Sequence, residues 1–484
     1  MLSRDRLSLR TERKQFWKTM VVEEDLASEK DAMIDTVKAP GVLRPTPAAS
    51  LEEALKIADT NGHQHWRVCC VVLLSTLCGG CAGGTAPFIL GPVTEELGLS
   101  SWGNSALAAS LFVGMWIGSF VGGILSDGLG PGRVMVFAVA TTSLAGMLPA
   151  VLPSMATLVV ACRVTVGLGV VVCYQSGNTY VAEWTPTTIR SRYMSLLHVT
   201  ISIGSLMTTA VATFVTDWRL LLVVNAVPPA LVVLLTTKFV WHNESPRFLL
   251  VNGREKDCIQ LLRRIHGNVK EKPRLEELPS KLCLTVDGEN SEATTTHERI
   301  ALIDRMRQLT HGSLWRLHIL GTLVAFALNF GQKGAETWAV VFVQNASTTD
   351  LTRGVYFASL SGKVLGDLVN IYLSTLVGRI RLLQVAFWLS SISLFGFAHV
   401  QSSLWLLTFA FLSGFGTDIL WCNIYIYLTE AFPTSVRSTA FGLAMGIGRS
   451  GGVLSAGLGN SLGSLQMAFN VYALSFAIGG FLSA

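Results

Sequence analysis

The sequence predicts an all-α, polytopic membrane protein made of two pseudo-symmetric six-helix bundles, with twelve transmembrane helices in all. Three observations predict this fold class. Of the 484 residues, 50% are hydrophobic and only 14% are charged, whereas soluble domains carry about 25% charged residues. Apolar runs of about 20 residues, long enough to cross a bilayer, occur in two groups of six. A motif at the end of the fourth run recurs at the end of the tenth.

The apolar runs divide the chain into four regions. The first six spans lie at residues 66–90, 104–126, 133–152, 156–182, 192–215 and 219–241, and the second six at 315–343, 351–377, 381–400, 403–429, 436–460 and 465–484. We therefore predict a cytosolic N-terminal tail with a short amphipathic helix (1–65), a first bundle (66–241), a cytosolic central loop (242–314) and a second bundle (315–484). Residues 255–265 of the central loop form one further amphipathic segment.

The basic residues of the loops predict the orientation, because loops rich in Lys and Arg stay in the cytosol. Outside the central loop, the even-numbered connections carry Arg133, Arg190, Arg192, Arg379, Arg381 and Arg437. The odd-numbered connections carry few basic residues. We expect both termini in the cytosol, in a multi-pass protein of the plasma membrane or of an intracellular vesicle or organelle.

Composition and motifs argue against several other classes of function. The net charge of +5 is scattered along the chain, so we expect no nucleic-acid partner. Most of the nine cysteines lie in apolar runs, and Cys78-x-x-Cys81 has no second pair, so we expect neither a metal site nor a disulfide framework. The chain has no GxxxxGK[S/T] motif for ATP and no convergent Ser/His or His/Asp spacing at a membrane face. We expect no cofactor and no enzymatic activity.

An internal repeat is the most specific signal. The segment YVAEWTPTTIR at 180–190 recurs as YLTEAFPTSVR at 427–437. At the same spacing, Gly167 and Gly169 correspond to Gly414 and Gly416. Two parallel six-helix repeats are typical of alternating-access transporters, whose site lies between the halves.

Each copy of the repeat places a glutamate at a predicted helix end and an arginine seven positions later, as Glu183 with Arg190 and Glu430 with Arg437. The proline between them ends the helix. Such a pair could bridge neighbouring helix ends and hold the cytosolic side shut. A static surface ion pair of little energetic value is the alternative.

These segments, with GILSDGLGPGR at 123–133, RVTVGLG at 163–169 and ESPRF at 244–248, resemble the major facilitator superfamily. They resemble most the branch of sugar porters, organic-ion transporters and synaptic vesicle two-related proteins, the last group nearest. The resemblance implies two bundles around a central cavity and transport of small organic solutes. It also implies a cytosolic gate made of Asp127, Arg133, Glu183, Arg190, Arg379, Glu430 and Arg437.

The sequence departs from the family pattern at three places. Pro131 and Gly132 occupy two of the basic positions of the first signature, and Thr375 occupies the aspartate position of its second copy. The first span contains no acidic residue between Val68 and Pro92, where proton-coupled relatives usually carry one. Coupling through that position is therefore not expected.

Charged residues inside predicted spans are candidates for function, because a charge in the bilayer is costly unless it is paired or hydrated. These residues are Arg163, Lys333, Glu336, Lys363, Asp367, Asp418 and Arg449. In the resembled family an arginine at the position of Arg449 faces the cavity. It suits a carboxylate or phosphate of the solute, and a permanent ion pair with Asp418 is the alternative. Lys363 and Asp367, four residues apart, are expected to neutralise each other.

Uncharged polar residues complete the candidate solute site. They are Gln175 and Asn178 on span four, Asn329 and Gln332 on span seven, and Asn423 and Tyr425 on span ten. With Glu336, Asp418 and Arg449 they form our predicted binding set. Hydrogen bonds between helices are the alternative role for each of the uncharged residues.

We therefore expect a monomeric transporter, active or facilitative, that moves a small organic ion, sugar or vitamin-like solute across a lipid bilayer, with a coupling ion as a further partner. A membrane protein that keeps this fold as a binding or trafficking platform without transport is the alternative.

Overall fold

The computed structural model describes residues 63–152, 155–185, 187–266, 314–346, 349–432, 437–459 and 464–483. Fifteen helices lie in these ranges: α1 His63–Gly84, α2 Ala86–Leu97, α3 Ser101–Leu129, α4 Pro131–Val151, α5 Ala156–Trp184, α6 Thr187–Phe214, α7 Trp218–His242, α8 Pro246–Val251, α9 Glu255–His266, α10 Leu314–Ala346, α11 Thr349–Leu376, α12 Arg379–His399, α13 Ser403–Ala431, α14 Arg437–Leu458 and α15 Leu465–Leu482. Residues 1–62 and 267–313, which hold the predicted tail and most of the central loop, lie outside the described part.

Ten of the described segments are long and apolar enough to cross a membrane. Helices α11 and α14 are not among them, although twelve spans are predicted. Helix α11 carries Lys363 and Asp367, and α14 carries Arg449. Helix α11 packs on α13 and α6, and α14 packs on α10 and α3, so neighbouring helices cover the sides that carry Asp367 and Arg449.

The first predicted span differs from the observed helix. It ends at Leu97 instead of residue 90, and a break at Thr85 divides it into α1 and α2. Pro87 stands in the first turn of α2, where its missing N–H and fixed φ favour a helix start rather than continuation. The Thr85 hydroxyl donates to the carbonyl of Ala82 at 2.8 Å.

The helices form two bundles with matching contacts, which confirms the predicted fold class. In the first bundle α3 packs on α5, α1 on α6 and α4 on α7, and in the second α11 packs on α13, α10 on α14 and α12 on α15. The bundles meet where α3 contacts α14 and where α6 contacts α11. We call this contact region the junction.

The helix ends lie on two opposite faces. We call the face with Arg133, Glu183 and Glu244 the central-loop face, and the face with Glu96 and Trp218 the far face. On the far face α2 packs against α10. The rings of Phe88 and Tyr356 meet edge to face with centroids 5.3 Å apart, so the bundles are in contact there.

Glycines allow the closest helix contacts of both bundles. A Cβ at Gly114 would meet the carbonyl oxygen of Val164 on α5, and a Cβ at Gly362 would meet that of Phe411 on α13. These two contacts occupy corresponding places in the two bundles. Backbone approach at small residues is a main source of helix packing in membranes.

We expect Gly362→Ala to destabilise the second bundle by about 1–3 kcal/mol, because its methyl group forces α11 away from α13. Gly442→Ala is the matched control, since no atom of another described element lies within 4 Å of its Cβ position and alanine favours helix by about 1 kcal/mol. Thermal unfolding of the purified variants, followed by tryptophan fluorescence, measures both. Equal melting temperatures for Gly362→Ala and wild type would contradict the packing.

Candidate functional site

Arg449 links the two bundles at the junction. Its side chain on α14 is buried. One terminal nitrogen donates to the hydroxyl of Ser119 on α3, and the other donates to the Tyr425 hydroxyl at 3.2 Å. The alternative pairing with Asp418 is wrong in this structure, because Asp418 lies on the side of α13 that faces α11.

Four charged residues form a second centre, which we call the ion-pair cluster: Lys333, Glu336, Lys363 and Asp418. Lys333 Nζ lies 2.8 Å from Glu336 Oε2, and Lys363 Nζ donates to Glu336 Oε1. Lys363 Nζ also lies 3.9 Å from Asp418 Oδ2. Two lysines thus face two carboxylates, and the formal charge of the cluster is zero.

The predicted pair of Lys363 with Asp367 does not form. Lys363 instead extends toward Glu336 on α10, and its ammonium donates to that carboxylate. Sequence spacing alone does not include this direction.

Neighbouring polar groups extend the ion-pair cluster. Gln332 donates to Glu336 Oε1 at 2.8 Å and accepts a hydrogen bond from the Trp421 indole N–H. The ammonium of Lys333 lies 6.0 Å from the centroid of the Trp421 ring. The cluster therefore joins α10, α11 and α13 of the second bundle.

Asp367 lies at the junction and contacts α6 of the first bundle. Its Oδ2 accepts a hydrogen bond from Ser202 Oγ at 3.0 Å, and its Oδ1 lies 3.4 Å from Cys422 Sγ. Ser202 Oγ also lies 3.5 Å from Asp418 Oδ1. This serine is the polar bridge between α6 and the carboxylates of the second bundle.

Three aromatic side chains pack beside these groups. Tyr174 on α5 meets Tyr425 on α13 edge to face at 5.7 Å between ring centroids. His198 on α6 lies 5.5 Å from the Tyr425 ring and is hydrogen-bonded to the Tyr174 hydroxyl through Nε2. The junction therefore combines cationic, hydroxyl and aromatic groups from both bundles.

The other predicted polar residues make mostly local contacts. Asn178 and Asn329 each donate to a backbone carbonyl four residues earlier. Asn423 donates to Asn370 Oδ1 at 2.7 Å, a bond between α13 and α11. Gln175 differs, because its buried Oε1 has no hydrogen-bond partner among the described residues.

Arg163 lies inside the first bundle, away from the junction groups. It donates to the Thr85 hydroxyl at 2.8 Å, at the break between α1 and α2. It lines a cavity of about 20 Å³. A second cavity of about 50 Å³ lies beside Glu336 and Lys363. A water needs about 10–15 Å³, so these cavities have room for a few waters rather than an organic solute.

At the central-loop face, Glu244, which lies just before α8, binds the first residues of α4. Its carboxylate accepts from the backbone N–H of Gly132 at 3.0 Å and of Arg133 at 3.3 Å, and Arg133 Nε lies 3.7 Å from it. Ser245 donates its hydroxyl to Glu183. Thus Arg133 and Glu183 of the predicted gate contact the turn before α8, all within the first bundle. The side chains of Asp127, Arg190, Glu430 and Arg437 lie outside the described part, as does Thr375, and Arg379 starts α12 on the same face.

Burial raises the pKa of the Glu244 carboxyl, although three backbone N–H groups and Arg133 favour its charged form. A carboxyl whose pKa is higher in the folded state binds more protons there than in the unfolded state. This group alone therefore adds stability as the pH falls through its folded pKa toward its lower unfolded pKa, and the gain is lost again as the pH rises.

Several residues of the site were not predicted from the sequence. Ser119, Tyr174, His198 and Ser202 belong to the first bundle and contact predicted residues of the second. Nothing in their local spacing distinguishes them from ordinary residues of an apolar helix. Glu244 lies in the ESPRF segment, and the motif was the only sequence signal for it.

Comparison with known proteins confirms the resemblance. The family model "Major Facilitator Superfamily" matches residues 71–456. The chain is 26% identical over 406 residues to organic cation/carnitine transporter 7 of Arabidopsis thaliana, covering 75% of this chain and 79% of the relative. It is 24% identical over 399 residues to the niacin transporter NiaP of Acinetobacter baylyi, covering 81% and 86%. It is 28% identical over 378 residues to the synaptic vesicle 2-related protein of Bos taurus, covering 74% of this chain and 66% of the relative.

Solved structures agree on the fold. A partially occluded inward-open structure of the xylose transporter XylE from E. coli matches with a TM-score of 0.66 at 17% identity, over 86% of this chain and 96% of that chain. At this identity the match shows the fold alone.

Proposed function

Because the chain belongs to the major facilitator superfamily, we propose that it transports a small organic solute whose carboxylate binds Arg449 at the junction. The observation that carries the proposal is the set of partners of Arg449. Among the described residues, its guanidinium donates to two hydroxyl groups, one in each bundle, and the structure records no carboxylate partner for it. A solute carboxylate could replace the neutral acceptors with a charge-assisted, bidentate contact.

The position of Arg449 couples binding to movement between the bundles. Its bond to Ser119 crosses from α14 to α3. In alternating access, the bundles rock against each other around a site of this kind. When a solute binds the guanidinium, the hydrogen bond between the bundles is lost. Binding therefore changes the equilibrium between the two alternating-access states.

The aromatic groups beside Arg449 favour an organic solute with a ring or a quaternary ammonium. The Tyr174, His198 and Tyr425 rings offer faces and edges that can stack or hold a cation. Two relatives are named for solutes of this chemistry, carnitine and niacin. Both combine a carboxylate with a nitrogen centre, so they are suitable probes.

We expect proteoliposomes with the purified chain to take up nicotinate but not nicotinamide, and carnitine but not choline. In each pair the second compound lacks the carboxylate. Protein-free liposomes give the background, and each probe is tested with and without a pH gradient. Equal uptake of both members of a pair would contradict a carboxylate at Arg449.

The alternative is a platform that binds a ligand without transporting it. The departures at Pro131 and Gly132 in the family signature favour it, because these residues replace basic groups of the gate. Thermal stabilisation by nicotinate or carnitine without any flux under any gradient would support this alternative.

We also propose that the central-loop face lies in the cytosol. Arg133, Arg264 and Arg379 belong to this face, and basic residues stay on the cytosolic side. Labelling of single cysteines at exposed positions such as Lys256 from the outside of intact cells would contradict this orientation.

A further inference from the structure

Three potential metal ligands meet at the junction, beside the proposed solute site. One ring nitrogen of His198, one carboxylate oxygen of Asp367 and Sγ of Cys422 all lie within 4.8 Å of one another. Asp367 and Cys422 are 0% and 3% exposed. The first residue belongs to α6 of the first bundle, and the other two belong to α11 and α13 of the second.

The chemistry of this set matches zinc. Imidazole nitrogen, thiolate sulfur and carboxylate oxygen are its usual protein ligands, and three of them leave one open coordination position. Thiolate and imidazole also select against Mg²⁺ and Ca²⁺, which prefer oxygen ligands. The thiolate and the carboxylate together carry two negative charges, so a divalent ion gives a formally neutral site. Neutrality matters here because uncompensated charge inside a membrane protein is costly.

Two of the three side chains are also held in orientation by a neighbour. The Tyr174 hydroxyl is hydrogen-bonded to His198 Nε2, and Ser202 donates to Asp367 Oδ2 at 3.0 Å. Metal-binding imidazoles and carboxylates are usually fixed by such outer contacts. The aspartate has no cation among its recorded hydrogen-bond partners, which are Ser202 and Cys422.

We propose that His198, Asp367 and Cys422 form a binding site for Zn²⁺ or a transition-metal ion of similar preference, and that the bound ion links α6 to α11 and α13. The ion then joins the two bundles directly. Since alternating access requires the bundles to move against each other, Zn²⁺ arrests transport. This last consequence rests on the proposed transport function, whereas metal binding does not.

Metal binding is tested on the purified full chain in detergent. We expect one tightly bound Zn²⁺ per chain by elemental analysis after removal of excess metal, and an ultraviolet thiolate-to-metal band on addition of Cd²⁺. Cys422→Ser should lose the Cd²⁺ band, and His198→Gln should no longer retain tightly bound Zn²⁺. Cys162→Ser removes another buried cysteine and should keep both.

A variant that leaves all three ligands in place separates binding from folding. Ser202→Ala removes the hydroxyl contacts to Asp367 and Asp418, and we expect zinc affinity to fall about 10–100-fold with an unchanged melting temperature in the absence of metal. A Cd²⁺ band of equal size in wild type and Cys422→Ser would overturn the site. Wild-type zinc affinity in both single variants, Ser202→Ala and His198→Gln, would also overturn it.

Flux is measured separately in proteoliposomes. We expect micromolar Zn²⁺, but not Mg²⁺, to inhibit nicotinate uptake in wild type and not in Cys422→Ser. Stoichiometric binding without inhibition would overturn the link between the bundles. If wild type moves no solute at all, the transport proposal fails while the binding measurements still decide the metal site.

Discussion

Arg449→Ala is expected to weaken the uptake of carboxylate solutes strongly while leaving the protein folded. Hydrogen bonds to a charged group contribute about 1.5–3 kcal/mol, so the loss of solute affinity is expected to be about 10–100-fold. Arg449→Lys should recover little of it, because an ammonium cannot form the planar two-bond contact. Initial uptake rates of nicotinate, measured over a concentration series, give the change in KM.

The matched control for this experiment is Arg381→Ala. Arg381 is an exposed arginine at the start of α12. Its replacement by alanine removes the same charge from the second bundle, but far from the junction. We expect its uptake to equal that of wild type. Wild-type nicotinate uptake in Arg449→Ala would exclude this arginine as the solute anchor, whatever solute the protein prefers.

The sequence predicted the helices well and their contacts less well. Apolar length and the repeat around Glu183 and Glu430 suffice to predict twelve helices in two bundles, because the bilayer imposes both length and composition. The first span was predicted to end at residue 90, whereas α2 ends at Leu97. The additional residues include Glu95 and Glu96 at the far face, where charged residues are tolerated.

Pairing of the charged residues could not be predicted from spacing. Lys363 stands on the same helical face as Asp367, yet its long side chain extends toward Glu336 on another helix. Arg449 and Asp418 stand on neighbouring spans but point toward different partners. Such choices depend on the rotation of each helix about its own axis, which the spacing of charged residues in the sequence does not determine.

The junction residues show the same limit more strongly. His198, Asp367 and Cys422 come from three helices and two bundles, and no motif spacing connects them. The expectation of no metal site rested on the position of most cysteines in apolar runs and on the lone Cys78-x-x-Cys81 motif; it did not consider ligands from distant segments. Ligands that a fold assembles from distant segments carry no local sequence signal.

Glu336→Gln is expected to give the largest loss of stability of any single change in the ion-pair cluster. Its carboxylate is the shared acceptor of Lys333 and Lys363, and of the described carboxylates Lys363 would retain only that of Asp418, at 3.9 Å. Breaking a buried ion pair by removing one partner costs about 3–5 kcal/mol, because the remaining charge is left uncompensated. Thermal unfolding in detergent measures the loss, and Glu95→Gln, at an exposed site on α2, is the matched control.

The double variant Glu336→Gln with Lys363→Met separates charge imbalance from lost packing. It removes one charge of each sign, so the cluster returns to a formal charge of zero with Lys333 facing Asp418. If uncompensated charge causes the loss, the double variant should be more stable than Glu336→Gln alone, since apolar replacements of buried ion pairs are often neutral or stabilising. A double variant less stable than either single variant would show instead that the geometry of the Glu336 contacts, and not their charge balance, holds α10 against α11.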